Sequence, residues 1–173
     1  MTIVLDGTAG ITTPALTDNG PLNANGNILN GASTAPTFSA YQSVAQTITL
    51  SVTTKIQFQT EEWDTNNNFD STINYRFTPT IAGYYSVQAA VSANVSGNAY
   101  SYPMIYKNGS LFANGFISGA AGQYAGIPVQ RTIYFNGTTD YVEIYFVSSG
   151  AGTFTTQAGS TLTWFQASMV RSA

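Results

Sequence analysis

Apolar and polar residues alternate with a period of two through most of this 173-residue chain. In residues 83–93, Tyr85, Val87, Ala89 and Val91 fall on one side, and Ser86, Gln88 and Ser92 on the other. In residues 140–148, Val142, Ile144 and Phe146 oppose Tyr141, Glu143 and Tyr145. A strand points successive side chains to opposite faces, so the first set in each case should meet the core. Similar runs, bounded by Gly, Asn and Pro, predict strands at 38–43, 47–52, 54–60, 69–77, 100–107, 111–118, 127–135 and 161–170 as well. No window sustains the period of an amphipathic helix. Ten strands in about 135 residues predict an all-β, two-sheet sandwich of the jelly-roll kind.

Two Asn-Gly pairs punctuate this pattern, in Lys107-Asn108-Gly109-Ser110 and Phe135-Asn136-Gly137-Thr138. Both central residues of a type I′ turn need positive φ, which Asn-Gly supplies, so each pair predicts a tight hairpin. Residues 1–37 lack the alternation. They are rich in Gly, Asn, Thr and Ala, with Pro14, Pro21 and Pro36 and only isolated large apolar residues. Such a segment cannot bury enough surface to fold alone. It is expected to be an extended anchor or leader, ordered against partner chains or a larger assembly, with the globular head at 38–173. Its start has neither the basic opening nor the long apolar run of a secretion signal.

Charge narrows the function classes. Only 8% of residues are charged, against roughly 25% in an average soluble domain. Lys55, Arg76, Lys107, Arg131 and Arg171 are scattered and the net charge is −3. Phosphate-backbone binding relies on clustered cations, so neither nucleic acid nor an anionic membrane is an expected partner. The chain has no His and no Cys. A Ser-His-Asp triad, a thiol nucleophile and a disulfide are therefore excluded. Glu61, Glu62, Asp64 and Asp70 cluster in sequence but on a turn, where acids are ordinary. A non-enzyme without a cofactor is expected. The stretch Asp64-Thr65-Asn66-Asn67-Asn68-Phe69-Asp70 has oxygen ligands at alternate positions, as calcium loops do, yet lacks their glycine at position six and acid at position twelve. An Asx-rich turn fits the same residues, and a structural calcium ion stays open.

Three loops, 94–102, 119–126 and 148–160, mix Gly and Ser with Tyr100, Tyr102, Tyr124, Phe154 and Gln157. Aromatic faces beside amides suit a sugar or protein surface, which makes these five the candidate receptor-binding residues. Plain surface loops with inward-packed rings are the alternative. Tyr141 and Tyr145, opposite the core set of their strand, are candidates for a subunit interface, where Tyr is enriched.

Phe58, Asp64, Phe69, Phe77, Gly83 and Tyr85 stand at spacings that resemble the core signature of the globular head of complement component 1q, a trimeric jelly roll of the tumour-necrosis-factor type. Ile105-Tyr106-Lys107-Asn108-Gly109, Gly137-Thr138-Thr139-Asp140-Tyr141-Val142-Glu143-Ile144 and Ser160-Thr161-Leu162-Thr163-Trp164-Phe165 are similar to later strands of that family. The resemblance spans roughly residues 38–171. Val87 and Ala89 stand where the family usually has aromatics, which places the chain among divergent members. The resemblance implies a compact homotrimer with its three N-termini leaving together at one end. The opening from Val4 to Pro14 resembles a leader of phage tail and virion proteins. Together they imply a non-enzymatic virion protein, made in the host cytoplasm, with other virion proteins and a host-surface glycan or protein as partners. Two roles fit: a tail-fibre or spike tip that binds the host through distal loops, or a capsid decoration protein anchored on the shell by residues 1–37.

Overall fold

The computed structural model describes residues 23–24, 27–28, 35–94, 100–115 and 124–173. The chain divides into two compact units, Met1–Thr34 and Ala35–Ala173. In the first, β1 (Asn23–Ala24) pairs antiparallel with β2 (Asn27–Ile28). The other leader residues up to Thr34, for which extended chain is expected, lie outside the described residues, and residues 35–37 belong to the second unit, with Thr37 opening its first strand.

Every regular element described in the second unit is a strand. In chain order these are β3 (Thr37–Tyr41), β4 (Thr47–Thr49), β5 (Thr54–Lys55), β6 (Thr60–Asp64), β7 (Phe69–Asp70), β8 (Arg76–Phe77) and β9 (Gly83–Asn94). There follow β10 (Ser101–Lys107), β11 (Ser110–Asn114), β12 (Tyr124–Phe135), β13 (Val142–Ser148), β14 (Thr153–Thr155) and β15 (Trp164–Ser172). One sheet runs β12-β9-β15-β3-β6. The opposing sheet runs β11-β10-β13-β8-β7, with β5 also pairing β13, and β4 and β14 form a small ribbon. All pairings are antiparallel. Gly or Asn directly follows β10, β11 and β12, and the alternation gives each sheet one apolar face, so the two sheets close on each other as a sandwich.

The predicted inward residues build that core. Tyr85, Val87, Ala89 and Val91 are fully buried, as are Val142, Ile144 and Phe146 from the facing sheet. The aromatic spacing of the 58–85 stretch has a direct explanation. Phe58, Phe69, Phe77 and Tyr85 all enter one cluster. Phe38 lies between Phe69 and Phe77, its ring 4.7 and 4.6 Å from theirs, and meets Phe165 edge-on at 4.9 Å. Such pairs are worth about 0.5–1.5 kcal/mol beyond the area they bury. The Tyr85 hydroxyl donates to the Ile81 carbonyl at 2.8 Å, and burial pushes its pKa up to about 12. Gly83 is required because a Cβ there would lie 2.5 Å from the Arg171 carbonyl oxygen.

Several boundaries differ from the alternation. The run 54–60 is not one strand. Lys55 pairs in one sheet and Thr60 in the other, and the chain crosses between them with Ile56 and Phe58 buried. The run 69–77 is interrupted by a turn, because the Asp70 carboxylate gathers the N–H groups of Thr72, Ile73 and Asn74. The 148–160 loop contains β14, held against β4. The run 111–118 is a strand only to Asn114, and 116–123 lies outside the described residues. Of the two Asn-Gly pairs, Asn108 and Gly109 have φ of 52° and 76° and close the β10–β11 hairpin as expected. Asn136-Gly137 closes no hairpin, since β12 and β13 belong to opposite sheets. There the Asn136 side-chain oxygen accepts from the N–H groups of Thr138, Thr139 and Asp140 and shapes a longer connection.

Topology gives the second unit two distinct ends. β9 finishes at Asn94 beside Tyr124, the first residue of β12, and Ser101 at the start of β10 pairs with Ser148 at the end of β13. The three predicted loops thus issue from one end. At the other end, β3 begins beside Ser168, and Ala173 donates to the Ala82 carbonyl.

Candidate functional site

The two sheets present very different outward faces. On the six-stranded sheet, one cross-strand row reads Leu111, Tyr106, Glu143, Arg76 and Asp70. The next reads Met104, Tyr145 and Lys55. Glu143 is buried and pairs with the Lys55 ammonium at 2.9 Å; that ammonium also donates to the Asn74 carbonyl at 3.1 Å. Breaking such a pair would leave a buried charge, so it fixes the short β5 onto β13. Tyr145 packs against Tyr106 with ring centroids 4.3 Å apart and the rings tilted by 36°, and its hydroxyl donates to Glu143. Burial, followed by the Glu143 charge, raises the Tyr145 pKa. Tyr141 lies under the Arg76 guanidinium, 4.5 Å from the ring centroid. Both candidate interface tyrosines are therefore half-buried and engaged within the chain. A second ion pair joins Lys107 to Asp140 at 3.0 Å. Burial works against the Asp140 charge, but the Asn108 amide, Lys107 and the Asn136 N–H hold its pKa below the usual carboxylate range.

Beside this row a pocket of about 550 Å³ opens between β6 and the β7–β8 turn. Glu61, Asn67, Asn68, Asp70, Arg76 and Thr78 contribute to its wall. The Asp64–Asp70 stretch folds here as an Asx-rich turn. Asp64 accepts from the N–H groups of Asn66 and Phe69 at 3.2 and 2.6 Å. Asp70 accepts from the N–H groups of Thr72, Ile73 and Asn74 and from the Asn74 amide. The Ile73 N–H contributes most to holding the Asp70 carboxyl far below its ordinary range, against the opposing effect of burial. Both carboxylates accept from their own backbone, which is the bonding of an Asx-rich turn.

The five-stranded sheet is different. Its central outward positions, Tyr84, Ser86, Gln88 and Ala90 on β9, Pro128, Gln130, Thr132 and Tyr134 on β12, and Trp164, Gln166 and Ser168 on β15, are uncharged, and its charges lie at the margins, with Arg171 opposite Tyr84 and Glu62 of β6 accepting from Ser39. The Gln166 amide donates to Gln88 at 3.2 Å. Tyr84 and Tyr134 are 47% and 44% exposed and their rings pack together at 5.4 Å. The sequence held the signal for this face, since these positions are the complement of the core set.

The candidate receptor residues separate into groups. Tyr100 and Tyr102 stay together at the loop end, their rings 5.6 Å apart, and Tyr100 is exposed. Phe154 packs edge-on against Phe146 at 5.7 Å, at the margin of the core. The Gln157 side chain accepts from Ser92, within a buried network of Gln42, Thr156 and Thr163 that ties this loop to the sheets. Tyr124 pairs through its backbone with Asn94, and its side chain lies outside the described residues.

No family model matches the sequence, and no curated protein matches it. Solved structures do share the fold. The globular domain of zebrafish complement 1qA superposes with a TM-score of 0.60 at 12% identity, covering 80% of this chain and 99% of that one. Eiger TNF from S. frugiperda gives 0.61 at 8% identity, covering 80% and 93%. Murine APRIL at pH 5.0 gives 0.62 at 7% identity, covering 79% and 99%. The second unit therefore has the jelly-roll fold of the component 1q and tumour-necrosis-factor heads, the fold that its aromatic spacing implies. At these identities the likeness concerns fold alone.

Proposed function

We propose that this chain is a non-enzymatic, homotrimeric virion protein of a bacteriophage: the tip of a short tail fibre or spike that contacts the host surface. The observation that carries the reading is the contrast between the two sheets. A second copy can cover Gln88, Tyr134 and Trp164 at the uncharged centre of one sheet and leave Arg171, beside Tyr84, at the rim, whereas the opposite sheet would have to bury Lys55, Arg76 and Asp70. Burying charges at an interface is costly, and interface cores are depleted in them. The contact face in this reading is the five-stranded sheet, in place of Tyr141 and Tyr145. Three copies would place their loop ends side by side, and weak sites on one rigid head gain avidity. The leader's resemblance to phage tail proteins supports the virion setting, with residues 1–37 docking onto the particle.

Electron microscopy of phage particles labelled with gold-conjugated antibody to residues 38–173 tests the placement. Gold at the tail end is the expected result. Gold over the capsid would replace this reading with a decoration protein.

A further inference from the structure

The pocket between β6 and the β7–β8 turn has a wall of two kinds. Asn68, Asp70 and Asn74 are engaged within the chain and set its shape. Asn68 accepts from the Thr80 N–H and donates to the Asn66 carbonyl at 3.0 Å, and its own carbonyl accepts from the Thr78 N–H at 2.8 Å. Glu61, Asn67, Ser71, Arg76 and Thr78 also line the pocket, and among the described residues their side chains have no hydrogen-bond partner. Arg76 is held in orientation by the Tyr141 ring beneath it. The turn's own backbone hydrogen bonds make the site largely preformed, which lowers the ordering cost of binding.

Chemistry narrows the ligand. The volume of about 550 Å³ falls within the roughly 300–1,000 Å³ of small-molecule sites, but this wall is polar where most are apolar. A ligand must therefore return hydrogen bonds at many points. Glu61 only accepts, Arg76 only donates, and the Asn67 amide with the Ser71 and Thr78 hydroxyls does both. An anion would meet Glu61 and Asp70, and a cation would meet Arg76. Ring hydroxyls, each a donor and an acceptor without charge, satisfy the whole set. We propose that this pocket binds a neutral saccharide, with Glu61 accepting from and Arg76 donating to its hydroxyls. The inference rests on the reading of the chain as a recognition head, and it moves the contact from the end loops to the side of the sandwich. Single-site binding is weak in this account, and multivalent display raises it.

Saturation-transfer NMR on the full-length assembled protein tests the site, with neutral hexose and N-acetylhexosamine trisaccharides as probes and a sialylated trisaccharide as the anionic control. At least one neutral trisaccharide should show saturable transfer. Affinity should fall about tenfold in Glu61→Ala and in Asn67→Gly, the loss expected for a hydrogen bond to a charged or well-placed amide group. Both variants should fold: Glu61 is exposed, and Asn67 has a φ of 52° that glycine accepts. Tyr100→Ala, at the loop end, should leave transfer unchanged. Transfer from the sialylated probe alone, transfer unaffected by both variants, or no transfer at all would overturn the site. Host-cell adsorption by the purified protein, measured alongside, separates the two ideas. Adsorption without saccharide transfer removes the pocket and leaves the recognition head standing. Transfer without adsorption keeps the pocket and removes the head's proposed role.

Discussion

The two sheets of this sandwich hold themselves together in different ways. The five-stranded sheet relies on length: β9 and β12 pair over their full 12 residues, from Gly83 against Phe135 to Asn94 against Tyr124. Its backbone ladder and cross-strand neighbours suffice, and the centre of its outward face carries no charge, with Arg171 and Glu62 at its margins. The six-stranded sheet includes three strands of only two residues, β5, β7 and β8. Two-residue strands gain little from backbone pairing, so side chains complete the work. The Lys55–Glu143 pair and the Asp70 turn hold that side, and both described ion pairs lie there. The long sheet, uncharged at its centre, is suited to covering by another copy, and the short-stranded, charged one to contact with solvent and ligand.

The largest expected effect strikes both sheets at once. Phe38→Ala removes the ring that meets Phe69, Phe77 and Phe165, and should lower stability by about 3–5 kcal/mol in urea unfolding. Gly137→Ala tests the connection between the sheets. Its φ is 73° and a Cβ would collide with Ala82, so a loss of about 2–3 kcal/mol is expected in the same assay. Asp70→Asn singles out the short-stranded side and should cost about 2 kcal/mol, because a charged acceptor of several N–H groups is lost. The corresponding outward change on the other sheet, Gln88→Ala, should shift unfolding of a single chain by less than about 1 kcal/mol.

Acid sharpens the same contrast. The folded pKa values of Asp70 and Asp140 lie below the ordinary value, so the unfolded chain binds protons first as pH falls. Their contribution is fully present above the unfolded carboxylate pKa of about 4 and is lost as pH drops towards the folded values. Melting temperature should therefore decline on acidification below about pH 4, and Asp70→Asn should flatten that decline. A decline equally steep in the variant would show that the Asp70 turn is not its source.

This difference also governed what the sequence made legible. Alternation over seven or more residues marks β9 and β13 and their core residues without ambiguity, because one face is buried throughout. Two residues carry no period, so β5, β7 and β8 merged into longer runs, and β14 was hidden in a loop. Asn108-Gly109 could be read as a turn from its residues alone. Asn136-Gly137 has the same residues, yet its conformation depends on which sheet receives the next strand, a tertiary fact. The pocket was less legible still: Glu61, Asn67 and Arg76 come from separate elements, and only the Asp70 turn brings them to one wall. Gln157 and Phe154 look like loop ligands until their partners, Ser92 and Phe146, are placed beside them.

The most direct test of the account is the mass of the full-length protein by sedimentation equilibrium, with one substitution on each sheet. Three chain masses are expected for the wild type and for Tyr145→Lys, and a single chain mass for Tyr134→Glu, with unfolding of all three remaining cooperative. A single chain mass for the wild type would contradict the proposed assembly. Loss of the trimer in Tyr145→Lys, with Tyr134→Glu intact, would place the contact on the charged sheet instead.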